Sequence, residues 1–132
     1  MADINFLDNS SAAISLRDET RKVLDIYEEV TGPITIVPCR RYIAYNESVV
    51  PILTIPSDFP KGGFFEIVGR GNSLFRVNQS AGQSIYYDGV STTIGTSGNI
   101  STSDTGSVIK IVCLNANTDF MVTTSQNDFI LV

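Results

Sequence analysis

Histidine and tryptophan are both missing from this chain, and bases are scarce. Without histidine, the side chain most used for proton transfer near neutral pH is gone, and so is the commonest zinc ligand. Serine triads, Cys–His dyads and histidine-based metal sites fall with it. Nine Lys plus Arg stand against fourteen Asp plus Glu, a net charge of −5, and bases adjoin only at Arg21-Lys22 and Arg40-Arg41. Nucleic acid is not an expected partner, because its binding rests mainly on neutralising phosphates. Only two cysteines occur, Cys39 and Cys113, and they match no metal-binding spacing. Cys113 lies between Val112 and Leu114 and Cys39 follows Pro38; each reads as a small buried hydrophobe, with a disulfide left open. No apolar run approaches the ~18 residues of a membrane span, and Met1 to Ser15 lacks the basic and apolar regions of a signal peptide. The expectation is a chain made in the cytoplasm, with no membrane partner, that stays soluble or leaves by lysis.

What is present suits one domain: 132 residues and 14.3 kDa allow a real hydrophobic core without staples. Four Asn-x-Ser/Thr sequons, at Asn9, Asn46, Asn78 and Asn99, are read as turn composition, not glycosylation. Composition changes near Gly32-Pro33. Residues 1–33 hold seven acids and three bases, whereas residues 34–132 hold seven acids and six bases. In the first segment Leu16, Thr20, Val23, Leu24, Tyr27 and Val30 recur at helical spacing. Ser15 and Asp18 form a capping box before them, and Gly32-Pro33 supplies a stop. The β-branched residues of the same stretch also permit a pairing strand.

After Pro33 short apolar or alternating runs are closed by Gly, Pro, Asn, Asp or Ser, which predicts a mainly β domain over 34–132. Nine strands are expected, at 34–37, 41–45, 49–55, 64–68, 74–78, 84–87, 107–114, 119–124 and 128–132, in an antiparallel β-sandwich or barrel. The turns at 69–73, 80–83 and 115–118 are expected to be hairpin links. The nearly continuous apolar run at 107–114 predicts a strand buried on both faces. Residues 91–107, rich in Ser, Thr, Gly and Asn, read as a long surface loop or a thin edge meander with little core to offer, placed to contact a neighbouring subunit or a ligand.

Few residues carry chemistry. Gly69-x-Gly71 lacks the third glycine and following helix of a dinucleotide turn, and reads as a β turn. The acids Glu66, Asp88, Asp104, Asp119 and Asp128 are scattered, where a glycosidase needs two held about 5–10 Å apart. A calcium site from Asp88, Asp104 and Asn99 has no recognised loop spacing. No enzyme, cofactor or metal is therefore expected. Tyr86 and Tyr87, with Tyr42 and Tyr45, suggest a sugar-stacking surface, although strand alternation sends Tyr86 and Tyr87 to opposite faces. Gln79 and Gln83, beside Asn78, bracket one turn; they either tie it to backbone groups or line a subunit contact. The interface or ligand candidates are thus Gln79, Gln83, Tyr86, Tyr87, Thr92 and Thr93.

In chain order the segments Phe65-Glu66-Ile67-Val68-Gly69-Arg70-Gly71, Asn78-Gln79-Ser80-Ala81-Gly82-Gln83-Ser84-Ile85, Thr92-Thr93-Ile94-Gly95-Thr96-Ser97-Gly98 and Val112-Cys113-Leu114-Asn115-Ala116-Asn117-Thr118-Asp119-Phe120 form an ordered set. It resembles a β domain of phage tail-fibre and virion-surface proteins, over residues 49–132. Phe75 and Phe120 stand where that family often has Trp. The resemblance implies a virion structural protein, commonly a homotrimer: a capsid decoration or cement protein, a head fibre, or a compact tail-fibre component. Its partners would be further copies of itself and, through the acidic residues 1–33, the major capsid protein or another virion component. The alternative it allows is a receptor-binding module that takes a host surface glycan through Tyr86 or Tyr87, Gln83 and the 91–105 loop.

Overall fold

The computed structural model describes residues 26–132. Most of the expected helix over 16–30 and most of the segment 1–33 lie outside the described residues. The end of that stretch is strand: β1 is Tyr27–Val30. There follow β2 (Ile34–Thr35), β3 (Arg40–Ala44), β4 (Ile52–Thr54), β5 (Phe64–Gly69), β6 (Arg76–Asn78), β7 (Ser84–Tyr87), β8 (Val90–Ser91), β9 (Asn99–Thr102), β10 (Val108–Asn115), β11 (Asp119–Gln126) and β12 (Phe129–Leu131). No helix occurs among the described residues.

The strands form a two-sheet, sandwich-like fold, and no barrel closes. One sheet has seven strands in the order β1-β3-β5-β10-β11-β7-β8; the other has five, β12-β9-β6-β4-β2. The expected mainly β architecture is present, but its pairing is mixed, not antiparallel. From β1 to β6 the chain alternates between sheets, so that β1, β3 and β5 pair in parallel in one and β2, β4 and β6 in the other. Each parallel pair needs a crossover connection, and the strand laid down in the opposite sheet serves as that crossover. The second half changes habit. β10 returns antiparallel to β5 and β11 pairs back on β10, while β9 lies antiparallel between β6 and β12.

This winding corrects several expectations. Turns 69–73 and 80–83 carry the chain between sheets, and only 115–118 makes a hairpin. A short Gly-bearing turn looks the same in either role; Ser73 N donates to the Arg70 carbonyl across a tight turn at 3.1 Å, with Gly71 at φ +61°. The sheet also extends across Gly32-Pro33, since Val30 is a core residue paired beside Ala44. β10 is buried on one face only: Ile109, Ile111 and Cys113 point inward, and Leu114 is exposed. Within 91–107, β9 is a central strand that contributes buried Ile100 and Thr102. Its two inward residues sit among polar ones, so composition hid the period. Of the sequons, Asn46 does cap a turn, accepting from the Ser48 and Val49 amides, whereas Asn78 and Asn99 are paired strand residues.

Between the sheets lies a continuous core of Val30, Ile36, Tyr42, Ala44, Leu53, Ile55, Phe65, Ile67, Phe75, Val77, Ile85, Ile100, Ile109, Ile111 and Phe120. Alternation along each strand supplies it, because successive strand side chains point to opposite faces. Phe59 closes one end, edge-on to Phe65 at 6.0 Å and to Phe120 at 5.2 Å. Its backbone is held on both sides by Asn117, whose Oδ1 accepts from Phe59 N at 2.6 Å and whose N donates to the Phe59 carbonyl at 2.9 Å.

Candidate functional site

The sequence candidates divide into a buried set and an exposed set. Gln79 is 3% exposed, Gln83 is fully buried and Thr92 is buried. Buried amides need partners, and these have them. Gln79 Nε2 donates to the carbonyls of Gln83 at 2.6 Å and of Thr93 and Gly95 at 3.0 Å. Thr92 Oγ1 donates to Gln79 Oε1 and accepts from the Ile85 amide at 2.9 Å. Gln83 Oε1 accepts from Ser80 N, and its Nε2 donates to the Pro56 carbonyl, each at 2.8 Å. The 78–85 turn and the 92–98 loop, separate in the sequence, are thus one hydrogen-bonded unit. Of the two roles open to these amides, tying backbone together is the one their geometry performs.

Gly98 is fixed by the same unit. A Cβ there would fall on the Thr93 carbonyl oxygen and 2.5 Å from Gln79 Nε2. The glycine is required by close approach of the Thr93 carbonyl and the Gln79 amide, a signal the sequence displayed only as punctuation.

Tyr86 and Tyr87 do take opposite faces. Tyr86 is 40% exposed on the outer face of the seven-stranded sheet, beside Met121. Tyr87 is half-buried and meets Phe129 edge-on at 6.0 Å. Tyr42 is buried, its hydroxyl accepting from Val37 N at 2.9 Å, and burial raises its pKa above the ordinary tyrosine value. Tyr45 lies under the Arg70 guanidinium, 4.2 Å from its ring centre. The tyrosines therefore form no common surface. Tyr87 and Asp88 instead line a groove of about 540 Å³ together with Gly89 and the consecutive residues 121–125 of β11.

The acids lie on different elements, with Asp104 and Asp128 at the neighbouring ends of β9 and β12, where the Ser103 hydroxyl donates to the Asp128 carbonyl. Glu66 accepts from Arg41 Nε at 3.2 Å and from the Tyr27 hydroxyl at 3.0 Å. Asp88 occupies the β7–β8 turn at φ +51°, Asn99 starts β9, and Asp104 lies in the β9–β10 connection, where its carbonyl accepts from the Ser107 hydroxyl. Among the described residues no three His, Cys, Asp or Glu side chains gather as a metal set. Both cysteines are free; burial pushes the Cys113 thiol above its ordinary pKa.

What sequence reasoning missed is the contrast between the two outer faces. Strands of the seven-stranded sheet carry Glu28, Glu29, Arg40, Arg41, Glu66, Lys110 and Asp119; strands of the five-stranded sheet carry one charged residue, Arg76. On the first, Arg40 pairs with Glu28, Arg41 with Glu66 and Arg70 with Glu29, and Arg41 and Lys110 both lie over the Phe64 ring. Only pairing in space distinguishes these strands, because both sets read alike as short apolar runs. No protein-family model matches this sequence, and no curated protein matches it.

Proposed function

We propose that this chain is a phage virion structural protein, a homotrimer that works by binding as a capsid decoration, head-fibre or compact tail-fibre component. One observation carries the reading. The four ordered segments on which the resemblance rests occupy connected places in the fold: β5, the 78–85 turn with the 92–98 loop tied to it, and the β10–β11 hairpin. Residues of these segments act as turn and core determinants, among them buried Phe65, Ile67, Ile85, Cys113 and Phe120. In this reading the acidic residues ahead of β1 supply the contact to the capsid or another virion component, for which a basic groove is the natural complement, while Glu28 and Glu29 are engaged by Arg40 and Arg70.

Light scattering behind a sizing column tests the assembly. The expected mass is three times 14.3 kDa, and a clean monomer would remove the trimer. The docking role is tested in the full chain with Asp3, Asp8, Asp18 and Asp25 changed to Asn. The variant should remain trimeric and lose binding to particles; unchanged particle binding would sink the acidic contact.

A second reading, a glycan-binding module, draws on the groove beside Tyr87 and Asp88, where Thr123, Thr124 and Ser125 bring hydroxyls next to an aromatic ring and a carboxylate. Buried Gln83 has no part in it. A glycan array probed with the assembled protein should then give signal that Tyr87→Ala abolishes, and silence across the array would end this reading.

A further inference from the structure

The outward face of the five-stranded sheet is a nearly uncharged surface with one unsatisfied cation in its middle. Register lines up Ile130, Ser101, Arg76 and Ile52 in one row across β12, β9, β6 and β4. The next row holds Asn99, Asn78, Thr54 and Thr35. Above Ile52 and Arg76 opens a groove of about 430 Å³, walled by Val49, Val50, Leu74 and Ser101. Arg76 stands in that groove with its Nε buried and without a hydrogen-bond partner. It has no ion-pair partner among the described residues. At the rim of the face, just before β12, Asp128 is exposed, and its carboxylate also makes no ion pair among the described residues.

We infer that this face is where copies of the chain meet, Arg76 of one copy taking the Asp128 carboxylate of the next. The inference rests on the homo-oligomeric reading above and names its surface. Three features select a second copy as the occupant. Chains of charge −5 repel one another, so contact is least opposed on the face whose strands carry no carboxylate. Asn, Thr and Ser each donate and accept, so rows built from them complement themselves. The exposed aliphatic side chains of Val49, Val50, Ile130 and Val132 border the rows and are covered by the same contact. Each copy gives one carboxylate and receives one, and a head-to-tail contact of that kind closes into a three-membered ring when it turns each copy by a third of a circle.

The test uses the full chain carrying Arg76→Glu, Asp128→Arg, or both, followed by light scattering over a dilution series. Wild type should hold the trimer mass, either single variant should dissociate at a concentration at least tenfold higher, and the double variant should recover. Ser101→Lys, beside Arg76 in the same row, should dissociate like the singles; far-UV circular dichroism identifies any variant that has merely unfolded. If folded single variants and Ser101→Lys assemble as wild type does, this face is not the contact, while the trimer reading stands. Dissociation of the singles without recovery in the double overturns the pairing. A wild-type monomer overturns trimer and surface together.

Discussion

At Gly98 a single hydrogen atom separates the native loop from a collision with the Gln79 amide. Gly98→Ala should cost roughly 3 kcal/mol, as overpacking of a well-filled site does. Gly82, at φ +79° with open space around it, is the comparison. Its alanine variant meets only backbone strain, about 1–2 kcal/mol, so thermal melts should rank the pair in that order. Cys113 is 1% exposed and its thiol is held above the ordinary pKa by burial, whereas Cys39 is half-buried. Alkylation followed by mass spectrometry should label Cys39 in the folded protein and Cys113 only after denaturation. Equal labelling of both would contradict the packing around Phe59. Tyr42 carries a pH signature. Its folded pKa lies above the ordinary 10.0 because the ring is buried, so above about pH 10 the unfolded chain releases the proton first. The stabilisation is whole below that pH and falls as pH rises through the folded value. Tyr42→Phe should flatten this alkaline decline in denaturant titrations, and near neutrality it should cost about 1 kcal/mol for the lost bond to Val37 N.

At the scale of elements, the β10–β11 hairpin shows how a turn residue can also fasten a distant segment. Asn117 sits at φ +67° and holds Phe59 by two hydrogen bonds. Asn117→Gly keeps the left-handed backbone and loses one bond; Asn117→Ala loses the bond and strains the turn. Chemical denaturation should find the alanine variant less stable than the glycine one by about 1 kcal/mol. All nine expected strands exist, because period-two alternation with Gly, Asn and Ser at the ends is a local property. β8 and β9 were not legible, and β1 only as the strand alternative to the expected helix. β1 carries Glu28-Glu29 beside helix-compatible spacing, β8 has two residues, and β9 hides Ile100 among hydroxyls and amides. Of the site candidates, Gln79 and Gln83 were legible as a pair around one turn and Thr92 only as part of the 91–107 loop; that the three act together was not legible, because it depends on two loops meeting.

Across the whole molecule, parallel pairing between strands separated by a full crossover makes contacts distant along the chain. Such topologies fold slowly, and stopped-flow refolding should run on the millisecond-to-second scale; microsecond refolding would be at odds with this winding. The sequence by itself determined a mainly β fold, most strand positions, the turn residues and the exclusion of histidine chemistry, since each follows from composition or from a period visible within a few residues. Only the tertiary structure decided which strands are neighbours. A short turn leads equally well to a hairpin or to the opposite sheet, and the choice is made by the packing of both inner faces at once. That choice sorts most strand charges onto one outer face and leaves Arg76 on the other with no ion-pair partner among the described residues.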